Sequence, residues 1–127
     1  MNHLFAVAIG GAIGASGRYL LNAQMLRLLG PAFPWGILTI NIVGSLAMGF
    51  LAGAFALKYD LSPEMRSFLT TGILGGFTTF SAFSLDAANM IERGDIGLAG
   101  LYMAGSVAGA VGALFVGLWI ARMLFSA

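Results

Sequence analysis

Four apolar stretches, 4–21, 36–57, 65–91 and 96–124, take up nearly all of this 127-residue chain. Each can cross a bilayer as a helix, which needs about 20 predominantly apolar residues. The linkers between them are too short for a second domain. The expected fold is therefore an all-α integral membrane protein, a single four-helix transmembrane domain spanning 1–127. Charge content agrees, with only 9% charged and 59% hydrophobic residues, where a soluble domain carries about 25% charged. Mean hydropathy is +0.93. Such a chain has no room for a nucleotide site, and no nucleic-acid partner is expected. The start, Met1-Asn2-His3, lacks the basic residues of a signal peptide, and the apolar run after it continues too far for a cleaved one, so it reads as the first span. With no cysteine, disulfides and thiolate metal sites are excluded.

Small residues mark where helices should meet. Gly10 and Gly14 in the first span, and Gly49 and Gly53 in the second, have the small-xxx-small spacing that lets backbones approach closely. The fourth span is thinned by six glycines between Gly97 and Gly117, which suits a helix packed against others. Residues 22–35 read as an amphipathic helix end and a turn closing on Trp35 at the interface. Ser62-Pro63-Glu64 reads as a helix start, with a cap, a proline in the first turn and an acid at the positive end. Lys58, Arg66 and Arg122 fall near one face of the membrane; Arg18, Arg27 and Arg93 fall near the other. That balance gives the positive-inside rule little to act on, as expected of a chain that inserts both ways and pairs with an opposite copy.

The third span is the unusual one. Residues 70–84 read TTGILGGFTTFSAFS, a glycine pair followed by four hydroxyls and three Phe. Lipid-exposed backbone must stay hydrogen-bonded, so a helix opens only where protein or water covers it. Gly75-Gly76 reads either as close helix packing or as a helix break near 75–78. In the second case the freed carbonyls suit a hard cation such as Na⁺. Beyond it, helical spacing puts Phe80, Phe83 and Ser84 on one face, with Ser81 beside them. These read as ordinary membrane packing or as an ion-lining wall. A Phe ring is positive at its edge and can touch a small anion without the permanent charge that would hold it too tightly for conduction. Asn41, deep in the second span, must either bond to another helix or coordinate something that moves. Tyr102 and Ser106 share a face at i, i+4, as interhelical bonds or as an extension of a polar track. Arg18 reads as a snorkelling interface residue or as an anion-attracting charge at a vestibule. Asp86 is an intramembrane carboxylate, able to bond locally, pair with Arg18, or help bring in protons; a structural or access role ranks above proton coupling. There is no HExxH, no Walker loop and no nucleophile with a base, and the single histidine is His3. An enzyme is not expected.

The stretch GGFTTFSAFS closely resembles the GGxTTFSTFS signature of the Fluc/CrcB family of fluoride channels. The resemblance continues through GGAIGASGRYLL in the first span, PWGILTINIVGS in the second, TTGILGG entering the third, and the small-residue fourth span. It implies an antiparallel, dual-topology homodimer in the bacterial inner membrane, with two pores for passive fluoride export. By resemblance the Phe pair is Phe80 and Phe83, and the pore amide is Asn41. The backbone carbonyls of Gly75 and Thr78 would hold a central structural Na⁺ at the dimer interface. The first-span Arg is Arg18, and the hydroxyl track is Ser81, Ser84, Tyr102 and Ser106. Ala82, Asp86 and Ala110 depart from residues common in relatives and bear on the ion path, not on the fold.

The alternative is a small dual-topology multidrug or cation transporter. That class wants an essential carboxylate central in the first span, and this chain has none there. A non-conducting assembly subunit would keep the glycine pairs but has no use for a Phe–hydroxyl stretch.

Overall fold

The computed structural model describes residues 2–126, and among these every regular element is helical. Helix α1 is Asn2–Leu29 and α2 is Trp35–Leu57. The third span is composite. It comprises α3 (Pro63–Ser67), a π-helical segment Phe68–Leu74, α4 (Gly75–Phe77) and α5 (Phe80–Glu92). Helix α6 is Ile96–Phe125. Four units, Asn2–Leu29, Trp35–Leu57, Pro63–Glu92 and Ile96–Phe125, are long and apolar enough to cross a membrane.

Local chemistry sets the boundaries. Helix α1 runs to Leu29 before it stops, because Gly30 takes φ 79° and donates its N–H to the Leu26 carbonyl at 2.9 Å. This left-handed stop costs glycine little, and Pro31 follows it. Helix α3 begins as its sequence indicates. The Ser62 Oγ accepts from the Met65 N–H at 3.2 Å, Pro63 occupies the first turn and Glu64 supplies the acid.

Helices α2 and α6 pack along their length. The space a side chain would need at Gly49 is taken by the Leu114 backbone, at Gly117 by the Leu46 carbonyl, and at Gly53 by the Ala121 methyl. The four glycines Gly97, Gly100, Gly105 and Gly112 face open space instead. Helix α1 packs on the composite span. A Cβ on Gly10 would meet the Phe68 carbonyl at 2.6 Å, and one on Gly14 would meet the Ile73 carbonyl. Gly76 lies against Gly11, whose carbonyl stands 2.7 Å from where a Cβ would be.

Gly75 and Gly76 are themselves helical; the residues that leave helical geometry are Thr78 (φ −82°, ψ 157°) and Thr79 (φ −153°, ψ 121°). Gly76 is thus a packing glycine, while Gly75 is exposed. The π-helical turns just before them have no signal in residue type. They accompany the close fit of Gly72 to α1, where its own Cβ position lies 3.0 Å from the Gly10 Cα.

A core of Ile37, Ile40, Phe83, Ala87, Met90, Ala99 and Tyr102 joins α2, α5 and α6. At one end of the bundle His3 meets Glu64 at 3.1 Å, and the Lys58 ammonium lies over the Phe125 ring. This gathers the start of α1, the 58–62 turn and the end of α6, as an even number of crossings requires.

Candidate functional site

The extended pair Thr78–Thr79 is held by a neighbouring helix. Asn41, in the first third of α2, donates from Nδ2 to the Thr79 carbonyl (3.1 Å), and its Oδ1 accepts from the Thr79 N–H (2.9 Å). The amide therefore does for Thr79 what a neighbouring strand would do, and a half-buried amide finds partners for both its oxygen and its nitrogen. The Thr79 hydroxyl accepts from the Ala82 N–H at 3.1 Å and so caps α5. The Ser81 hydroxyl sits 3.3 Å from it. On the other side, the Arg18 guanidinium reaches in from α1 and donates from Nε to the Gly76 carbonyl at 3.1 Å. Arg18 does not pair with Asp86.

These bonds redistribute the backbone groups. In an unbroken helix the Thr79 N–H would go to the Gly75 carbonyl and the Ala82 N–H to the Thr78 carbonyl. Here both donors are diverted, to Asn41 Oδ1 and to Thr79 Oγ1. The carbonyls so freed belong to Gly75 and Thr78. A hard cation takes oxygen ligands of this kind, and unwound carbonyls coordinate Na⁺ in membrane proteins. The donor set fits Na⁺ better than a softer metal. Among the described residues no cluster of three His, Cys, Asp or Glu is placed to hold a metal.

Beside the extended pair runs a groove of about 370 Å³, lined by Asn41, Thr78, Phe80, Phe83 and Ser106 among mostly apolar neighbours. Phe80 and Phe83 stand 5.5 Å apart at ring centroids, tilted by 44°. Their settings differ. Phe83 is 9% exposed and packs on Tyr102 at 5.1 Å, whereas Phe80 is 77% exposed. The Ser106 hydroxyl is buried in this region without a partner. Ala110 lies further along the same wall.

The remaining candidates lie off the groove. The Ser84 hydroxyl bonds back to the Phe80 carbonyl at 2.9 Å. Tyr102 is buried and donates its hydroxyl to Asp86 at 3.3 Å. Asp86 in turn lines a second cavity, about 230 Å³, with Asn22, Asn89 and Arg93 under the 31–34 turn. Tyr102 thus stands between the groove and this outer cavity. For Thr79, which the sequence places only as the start of the ion-lining wall, the capping role is the part that sequence reasoning missed. Its signal was a Thr three residues before the N–H it caps, the ordinary mark of a helix N-terminus.

Four helices long and apolar enough to cross a bilayer, with a stretch of backbone opened inside the third, define a multi-pass membrane protein. A family model described as CrcB-like protein, Camphor Resistance (CrcB), matches residues 5–118. The chain is 55% identical over 124 residues to a protein of Chelativorans sp. named Fluoride-specific ion channel FluC, covering 98% of this chain and 99% of that one. It is 53% identical over 121 residues to Fluoride-specific ion channel FluC 1 of Nitrobacter hamburgensis, covering 95% and 96%. With FluC of Agrobacterium fabrum it shares 50% identity over 125 residues, covering 98% and 100%. The chain belongs to the CrcB family.

Proposed function

We propose that this protein is a passive, fluoride-selective channel that lets fluoride leave the cytoplasm down its gradient. The observation that carries this reading is the meeting of Asn41, Phe80, Phe83 and Ser106 on one groove, in a chain that matches proteins named as fluoride-specific channels over nearly its full length. Amide and hydroxyl donors replace water around a small anion. Ring edges add weak positive contacts, and weak, repeated sites are what conduction needs. Tyr102 and Asp86 link the groove to the outer cavity and serve as its access route.

The working unit in this reading is an antiparallel homodimer in the bacterial inner membrane, with one ion path per copy. Several features support it. The groove is open along one side, and Phe80, a large apolar ring, is mostly uncovered in the single chain. Gly75 is exposed with its carbonyl released, and two carbonyls are too few to hold a cation alone. A second copy across a two-fold axis supplies two more, so a structural Na⁺ would sit at the dimer centre in a helix break shared by both chains. Arg18, bonded to the Gly76 carbonyl, braces that break.

Efflux from liposomes tests the function. Purified protein is reconstituted in vesicles loaded with fluoride or chloride, and release is followed with ion electrodes. Fast fluoride release with chloride retained is the expected result. Absence of fluoride release from intact dimers would sink the proposal, and proton-coupled efflux of organic cations would favour the transporter alternative.

A further inference from the structure

We propose that the side chains of Asn41 and Thr79 are positioning residues for the cation site. Each captures the backbone donor that would otherwise close one of its two carbonyls. The inference rests on the sodium reading above and assigns to two side chains the task of making the site available.

A backbone N–H inside a membrane must have a partner, and for Thr79 the nearest helical choice is the Gly75 carbonyl. Asn41 Oδ1 takes that N–H at 2.9 Å, so the Gly75 oxygen is left for a cation. For Ala82 the helical choice is the Thr78 carbonyl. Thr79 Oγ1 takes that N–H at 3.1 Å, so the Thr78 oxygen is left as well. The second Asn41 bond, from Nδ2 to the Thr79 carbonyl, keeps the peptide extended and stops it from turning back into the helix. In this assignment neither side chain would itself be a ligand of the cation.

The arrangement gives Asn41 two tasks. Its amide carries two N–H donors; one is used on the Thr79 carbonyl, which leaves a second for the groove that Asn41 lines. The residue that faces the anion path is therefore bonded to the peptide that opens the cation site. Linkage is reciprocal: a cation on the Gly75 and Thr78 carbonyls favours the extended peptide, and the extended peptide fixes the Asn41 rotamer. Sodium would govern the anion path without lying in it.

The test is thermal unfolding of the purified full-length protein, titrated with Na⁺ against K⁺ at constant ionic strength. Wild type is expected to gain stability with Na⁺, as any ligand of the native state produces. Thr79→Val keeps the shape and loses the cap, and its sodium midpoint should rise about fivefold to tenfold, the equivalent of one lost capping bond. Asn41→Leu should raise it at least as much. Thr79→Ser retains the hydroxyl and should stay within about twofold of wild type. Wild-type midpoints in both Thr79→Val and Asn41→Leu would overturn the inference while leaving the sodium reading intact. Wild type without any sodium-specific gain would overturn the sodium reading and the inference with it. If Asn41→Leu does not assemble, the Thr79→Val and Thr79→Ser pair decides alone.

Discussion

An amide inside an apolar helix is destabilising unless its oxygen and nitrogen find partners, and Asn41 finds both on a single residue of another span. As an out-of-place polar residue it was legible in the sequence. Its partner was not, because a bond to backbone leaves no mark in residue type. The same limit applied to Gly75 and Gly76, which differ only in what lies opposite them. One is exposed, and the other faces Gly11. The two Phe residues, equivalent in spacing, separate in the structure. Phe83→Ile removes a ring buried against Tyr102 and should lower both fluoride flux and stability, the latter by about 1–2 kcal/mol. Phe80→Ile alters a ring that is 77% exposed in the single chain and should cut flux with little change in the fold of one subunit. Efflux and thermal unfolding, measured side by side, check both. Unchanged flux in the pair would remove the ring-edge mechanism.

At the scale of elements, the spans were readable because long apolar stretches permit few folds in a bilayer. The small-xxx-small pairs marked positions of close packing without naming the neighbour, which the structure supplies. Gly10 and Gly14 meet the third span, and Gly49 and Gly53 meet α6. What the sequence did not carry was the π-helical segment Phe68–Leu74, whose residues form ordinary helix elsewhere and whose geometry accompanies packing on α1. Glycines of equal appearance also proved unequal. Gly49→Val would drive methyls into the Leu114 backbone and should destabilise by about 1–3 kcal/mol or more. Gly97→Ala meets nothing within 4 Å in the chain and should be neutral or stabilising by up to about 1 kcal/mol. Unfolding temperatures of the two variants give the comparison. A Gly49→Val protein as stable as wild type would mean that the α2–α6 contact is looser than described.

For the whole molecule, the basic residues near the helix ends are Lys58, Arg66 and Arg122 on one side against Arg27 and Arg93 on the other, because Arg18 is drawn in to the Gly76 carbonyl; the balance the sequence suggested is close but no longer equal. With no native cysteine, a single introduced thiol reports orientation cleanly. Asp60→Cys, at a side chain fully open to solvent, and Glu92→Cys, near the opposite end, should each be labelled by an impermeant reagent in about half the molecules of intact cells. Labelling of only one of the two would exclude dual topology. Adding positive charge at one end, as Glu92→Lys with Asp95→Lys, should bias insertion toward a single orientation. Fluoride efflux should then fall, and co-expression with an oppositely biased Asp60→Lys chain should restore it.

The brace around the extended pair also has a direction in time. Arg18 and Asn41, which satisfy the Gly76 and Thr79 backbone, both precede the third span in the chain. A growing polypeptide folds from its N-terminus, so α1 and α2 are already in the bilayer when the third span emerges. The Gly76 carbonyl and the Thr79 peptide then find their partners on arrival; in lipid each unpaired group would cost several kcal/mol. The order of the helices along the gene is therefore also an assembly schedule, with the template made before the part it holds open.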